Sequence, residues 1–261
     1  MQSELTVPRI PPPSLSVFHR EYVCRSRPVI FVGMMNDWPA MQKWSFAYLR
    51  QRWGSVEVPV VKLQDRSLGR DPNVGLLYQS ASLEKAVDLV FDERGPGYYM
   101  VAPLEGPMRP IFDDVKTPRY CVGKPRLRSR LWMSAGNTVS PLHRDFPENV
   151  YAQVVGHKRF VLLPPRDKRL LYPYSLRSKL PQVCAVDPEK PDYERYPRFR
   201  QAQPIIVDLQ PGDLLYLPGR WWHQVRTVTP SLSINWWWAT GIVRLLSDVA
   251  DVYKRIRHVR L

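Results

Sequence analysis

Asn149-Val-Tyr-Ala-Gln-Val-Val155, then Gly156-His157, then Lys158-Arg-Phe-Val-Leu-Leu163 is the stretch on which the fold turns. Two runs rich in β-branched and aromatic residues flank two residues, the first a glycine. That pattern predicts two strands joined as a β-hairpin on a two-residue turn. Similar short runs lie on either side, at 98–101, 130–135, 205–209, 214–217, 223–228 and 232–238. Pro211-Gly212 predicts a type II turn between two of them. Short strands at this spacing predict a barrel or a two-sheet jelly roll. The polar, proline-rich stretch 166–204 reads as an insertion between strands.

The first third has a different texture. Leu15, Val17, Phe18 and Tyr22 predict a helix over 14–26 entered from Ser14. Residues 28–32 follow as a buried strand. Ser45 is placed to cap a helix running to Trp53, with Gly54 after it. Ser82 is placed to cap another, with Leu83, Ala86, Val87, Val90 and Phe91 on one face and Gly95 beyond. At the other end, Ile242, Leu245, Leu246, Val249, Tyr253 and Ile256 recur at helical spacing and predict a C-terminal helix with a basic outer face. It packs on its own domain or makes a homodimer contact.

The 261 residues are 44% hydrophobic, enough for a full core, and 27 prolines against 13 glycines favour short strands and rigid loops over long helices. No apolar run approaches the roughly 20 residues that span a bilayer, and the N-terminus lacks a signal-peptide core. Cys24, Cys121 and Cys184 are odd in number and far apart, so they predict neither a disulfide framework nor a zinc site. A reduced, cytoplasmic protein is expected. The net charge of +14 suits an RNA, an acidic peptide or an anionic metabolite, and equally a basic surface that serves solubility.

Five histidines are present, and two fall where a metal would need them. In His143-Arg144-Asp145 the outer side chains share one side of an extended segment, because strand side chains alternate. A third ligand must come from elsewhere. His223, after Pro218-Gly-Arg-Trp-Trp, opens a predicted strand. Two histidines and a carboxylate make the facial set typical of non-haem iron(II). By itself His-x-Asp also describes a surface histidine beside a turn aspartate. Lys158, opening an apolar strand, is either a rim charge or an ammonium that meets a carboxylate inside the barrel.

With these residues in place, the chain resembles the JmjC-type, cupin-like oxygenases that depend on iron(II) and 2-oxoglutarate. Within them it is similar to the group containing the asparaginyl hydroxylase that inhibits hypoxia-inducible factor. The resemblance rests on Ser140-Pro-Leu-His-Arg-Asp145, Asn149, Gln153-Val-Val-Gly-His-Lys-Arg159, Leu163-Pro-Pro165 and Tyr172-Pro-Tyr174. It continues through Pro191-Asp-Tyr-Glu-Arg-Tyr-Pro197, Pro211-Gly-Asp-Leu-Leu-Tyr-Leu-Pro218, Trp221-Trp-His223 and Asn235-Trp-Trp237. Pro28-Val-Ile-Phe-Val-Gly33 and Trp44-Ser-Phe-Ala-Tyr-Leu49 extend it more weakly toward the N-terminus.

The resemblance implies a mainly β fold forming one domain. A double-stranded β-helix at 106–240 would have an N-terminal α/β flank at 1–105 and the helix at 241–261. It implies that His143, Asp145 and His223 bind iron(II), with dioxygen as the other cosubstrate. Lys158, Ser140 and Tyr99 would hold the distal carboxylate of 2-oxoglutarate, with serine at a position where the group has threonine. Asn149 and Asn235 would reach its metal-proximal end. The expected reaction is hydroxylation of a protein or peptide side chain, with 2-oxoglutarate converted to succinate and CO2. Hydroxylation of a modified tRNA base or of a small molecule stays open. Demethylation lacks an attached reader module. A cupin-like binding protein without turnover is argued against by the ligand set and Lys158, and an isomerase-type cupin would bring more histidine or glutamate ligands.

Overall fold

The computed structural model describes residues 6–95, 97–125 and 127–239. The expected C-terminal helix lies outside these residues. Among the described residues thirteen strands form two sheets. They are β1 (Arg9–Ile10), β2 (Val29–Phe31), β3 (Glu57–Lys62), β4 (Leu77–Ser82), β5 (Tyr98–Pro103), β6 (Arg128–Ser134) and β7 (Thr138–Arg144). After these come β8 (Glu148–Val155), β9 (Lys158–Leu163), β10 (Ile205–Leu209), β11 (Leu214–Leu217), β12 (Trp222–Thr227) and β13 (Ser231–Trp238). The large sheet has the order β1-β2-β11-β8-β13-β6-β5-β3-β4, and the small one β10-β9-β12-β7. From β6 to β13 the chain fills four neighbouring places in each sheet, which is a jelly roll.

The expected strands form, but the expected hairpin does not. β8 pairs with β11 and β13, whereas β9 pairs with β10 and β12, so the two halves of the opening stretch lie in opposite sheets. The cause is what holds the turn. The His157 carbonyl accepts from the N–H groups of Val228 and Thr229, and the His157 N–H donates to Thr229 Oγ1. The Gln153 side-chain amide donates to the carbonyls of Val155 and Gly156. Gly156–His157 is thus docked on the β12–β13 connection and turns the chain out of one sheet into the other. At Gly156 φ is +75°, and a methyl group there would lie 2.0 Å from the Pro230 carbonyl oxygen. Gly156→Ala is therefore expected to lower the unfolding free energy by about 2–4 kcal/mol. A urea midpoint close to wild type would contradict this placement. The second turn behaves as expected: Gln210–Asp213 closes with an N–H to carbonyl bond of 3.0 Å, and Gly212 takes φ +95°.

The outer face of the large sheet carries the main core. Leu232, Ile234, Trp236 and Trp238 of β13, with Val150, Ala152 and Val154 of β8, pack against Phe18, Trp38, Leu49 and Leu83 from the N-terminal third. The serine caps there are real. Ser14, Ser45 and Ser82 each accept a backbone N–H at the start of α1 (Leu15–Phe18), α3 (Phe46–Trp53) and α4 (Leu83–Phe91); α2 (Ala40–Lys43) lies between. β3, β4 and β5 extend the large sheet beyond β6. Insertion 166–204 covers the outer face of the small sheet, where Leu171, Cys184, Val186 and Phe199 bury Leu163 and Trp222. All three cysteines are free. No helix among the described residues is long and apolar enough to cross a membrane.

Candidate metal centre and anion pocket

Between the sheets one half is apolar and the other polar. The apolar half is filled by Phe160, Leu162, Ile205, Val207, Leu215 and Leu217. The polar half is built from inward positions spaced two apart on β8 (Asn149, Tyr151, Gln153) and β13 (Ser233, Asn235, Trp237), which face each other in register.

A β-bulge arranges the small sheet's contribution. His223 pairs with His143, but Val225 pairs with Ser140, so two residues of β7, Pro141 and Leu142, stand opposite Gln224. Regular alternation would put Ser140 and His143 on opposite faces. The extra residue re-phases the strand and brings both to the inner wall. His223 is in register with Leu162, Val225 with Phe160, and Thr227 with Lys158. Ser140 therefore occupies the rung between the histidines and the lysine.

His143, Asp145 and His223 come together, their potential ligand atoms all within 4.8 Å of one another. The imidazole ring centres are 4.2 Å apart. His143 Nδ1 lies 2.7 Å from the Pro141 carbonyl oxygen, and His223 Nδ1 lies 3.1 Å from that of Trp221. A carbonyl can only accept, so each Nδ1 carries the proton and each Nε2 keeps its lone pair for a metal. Burial, and then the neighbouring His143, push the His223 pKa down to about 3. Its Nε2 is thus available with no proton to displace. Asp145 Oδ2 accepts from the Trp237 indole N–H at 3.2 Å, which orients the carboxylate.

Two rungs along, Lys158 is 1% exposed. Its Nζ donates to Tyr99 Oη at 2.6 Å and Ser233 Oγ at 3.3 Å, while Tyr151 donates to the same serine oxygen at 2.5 Å. The Tyr99 and Tyr151 rings lie 5.2 and 5.6 Å from the ammonium. Burial disfavours the charge, and the facing Tyr151 and Tyr99 hydroxyls act the other way, as dipoles and as acceptors of its hydrogen bonds. Every one of these partners is neutral, and no carboxylate meets the ammonium among the described residues. Ser134 Oγ and Thr227 Oγ1, 2.9 Å apart, tie the two sheets together beside it.

Asn235 Nδ2 donates to Asn149 Oδ1 at 2.9 Å, and Asn235 Oδ1 is buried with no partner among the described residues. Every residue singled out from the sequence thus faces the same interior. Tyr151, Ser233 and Trp237 were not singled out. Alternation from Asn149 reaches Tyr151, and alternation either way from Asn235 reaches Ser233 and Trp237, so the strand period was the signal that finds them.

A cupin-like domain model matches residues 14–242. The chain is 31% identical over 243 residues to lysine-specific demethylase 8 of Xenopus tropicalis, covering 92% of this chain and 54% of that protein. It is 35% identical over 229 residues to lysine-specific demethylase JMJ30 of Arabidopsis thaliana, covering 87% and 53%. To the human bifunctional peptidase and (3S)-lysyl hydroxylase JMJD7 it is 29% identical over 260 residues, covering 87% and 82%. The chain spans about half the length of the two demethylases. Eight jelly-roll strands, a match that takes in most of the chain and relatives aligned along nearly all of it agree: the chain belongs to the cupin-like domain family.

Proposed function

We propose that the protein is an iron(II)- and 2-oxoglutarate-dependent oxygenase that hydroxylates a side chain of a protein or peptide, and that the whole chain is a single oxygenase domain. The observation that carries this reading is a buried ammonium with only neutral partners, two rungs from a two-histidine, one-carboxylate cluster on the same inner wall. A buried cation without a counter-charge is costly, and an anionic ligand offsets the cost. A dicarboxylic ketoacid matches the spacing in kind: one end for the metal residues, the other for Lys158.

His143, Asp145 and His223 would hold the iron. Bound iron supplies dioxygen activation coupled to decarboxylation of 2-oxoglutarate to succinate and CO2. The rest is positioning by this chain. Lys158, Tyr99 and Ser140 would receive the distal carboxylate. Asn149 and Asn235 would reach the metal-proximal end, with the unfilled Asn235 acceptor open to a donor. Trp237 holds Asp145 in orientation, and the apolar half of the interior keeps bulk water from the back of the pocket. A protein substrate is supported by the names of the lysine-specific demethylases and the lysyl hydroxylase to which the chain is similar.

The test is incubation with iron(II), 2-oxoglutarate and fractionated cell extract, each fraction also supplied after protease or RNase treatment. Succinate formation and a gain of one oxygen in a protein fraction, lost on protease treatment, are expected. Activity lost on RNase treatment instead would replace the protein substrate with an RNA.

A further inference from the structure

Arg144 separates two metal-site residues in sequence, yet it lies on the opposite face of β7 from them. Its guanidinium carbon is 5.0 Å from the Phe146 ring centre and 4.7 Å from that of Trp222, so it is held against two aromatic faces. Trp222 is its cross-strand partner in register. Arg144 Nε is buried with no hydrogen-bond partner, and the guanidinium meets no carboxylate among the described residues. The charge that acts on it is another cation: after burial, Arg220 is the next cause pulling its pKa below the ordinary arginine value.

Arg220 is held there by the backbone. It takes φ +71°, a conformation that strains a residue with a side chain, and its N–H donates to the Asp145 carbonyl oxygen at 2.6 Å. A Cβ on the preceding Gly219 would stand 2.4 Å from the Phe146 carbonyl oxygen, so this loop lies directly on the chain that follows the metal residues. The backbone of Arg220 thus lies against the end of the strand that carries Arg144, beside the exposed Phe146 ring, and neither arginine meets a carboxylate among the described residues.

We propose that Arg144 and Arg220 form a carboxylate-recognition site at the rim of the metal centre, taking an acidic side chain near the modified residue of a peptide substrate. This rests on the reading of the protein as a peptide-modifying enzyme. A guanidinium pressed against ring faces presents its N–H edge, which fits a carboxylate bidentately. Neighbouring residues of an extended peptide are about 3.3–3.6 Å apart, so an acid one to three positions from the target reaches this rim. The pair is a point of charge beside an apolar ring. A nucleic-acid backbone calls for cations repeated along a track.

The experiment uses fluorescein-labelled peptides with one central lysine flanked by glutamate, by glutamine or by phosphoserine, and a single-stranded RNA of similar length. Anisotropy is measured with iron and 2-oxoglutarate under nitrogen, and again on metal-free protein, so that failure of the metal reading leaves the peptide result standing. Wild type is expected to hold the glutamate peptide about tenfold more tightly than the glutamine peptide. Arg144→Gln and Arg220→Gly should each cut that preference to about twofold or less. Arg220→Gly also relieves the positive φ, so it tests binding without unfolding the loop. Equal affinity for the two peptides, a preference that survives both substitutions, or no binding of any peptide overturns the proposal. Tighter capture of the phosphoserine peptide assigns the site to phosphate and overturns the carboxylate. Tighter capture of the RNA, lost in both variants, overturns the peptide.

Discussion

Asp145→Ala is expected to remove metal-dependent turnover, with 2-oxoglutarate-dependent succinate formation falling at least about a hundredfold. The substitution deletes the one carboxylate of the cluster and leaves two imidazoles, which hold a divalent cation with two ligands in place of three and supply no negative charge. The fold should survive, because Asp145 is half-buried and its side-chain partner among the described residues, the Trp237 indole, faces the pocket. Asp145→Asn refines the test. It keeps an acceptor for Trp237 and the shape of the residue, and removes only charge, so its turnover should be close to that of the alanine variant while its melting curve matches wild type. Manganese(II) binding followed by electron paramagnetic resonance gives a readout independent of catalysis. Wild-type turnover in either variant would remove Asp145 from the metal site.

Lys158→Met is expected to act in two opposite directions. Affinity for 2-oxoglutarate should drop by about 2–5 kcal/mol, tens to thousands of fold, because a buried charge-assisted contact is lost. The protein without cosubstrate should gain stability, since methionine fills the same space without burying an ammonium that has no counter-charge. A mere packing role predicts loss of both, and a rim charge predicts change in neither. Arg159→Gln is the control. Arg159 points to the outer face and pairs with Asp208 at 2.8 Å, both partners well exposed, a pair that typically contributes about 1 kcal/mol or less. It should leave 2-oxoglutarate binding unchanged.

How far the sequence reached is clearest at two turns. Pro211-Gly212 was read correctly because a type II turn depends on two adjacent residues alone. Gly156-His157 was misread as a hairpin because its two flanking strands look alike in either arrangement. What decides between them is Thr229 and Gln153, whose bonds to the turn cannot be seen from local pattern. The residues that gather between the sheets were picked out for a different reason. His-x-Asp and an apolar strand opened by lysine are each ambiguous alone, and it is the ordered set of motifs carrying the resemblance that singled out His143, Asp145, His223 and Lys158. The bulge at Pro141–Leu142 was not legible: it is set by pairing with β12, far along the chain. β4 was missed for want of contrast, since Leu77–Ser82 offers mostly polar residues at an edge where neither face demands a pattern, and β3 is a short apolar run interrupted by Pro59.

The exchange of strands between sheets bears on the order in which the molecule can assemble. β12 is the middle partner of β9 and β7, and β13 is the middle partner of β8 and β6. Of the described strands these two are the last to be synthesised. On the ribosome β7 therefore has no partner strand, and β6, β8 and β9 each keep one open edge, until β12 and β13 have been made. Such dominance of distant pairings slows folding and leaves intermediates open to aggregation and to chaperones. The same late strand that joins β7 to β9 carries His223, so the last ligand arrives with the strand that closes the small sheet. A nascent chain lacking that strand offers a metal only a histidine and an aspartate, and loading of the site is tied to completion of the fold.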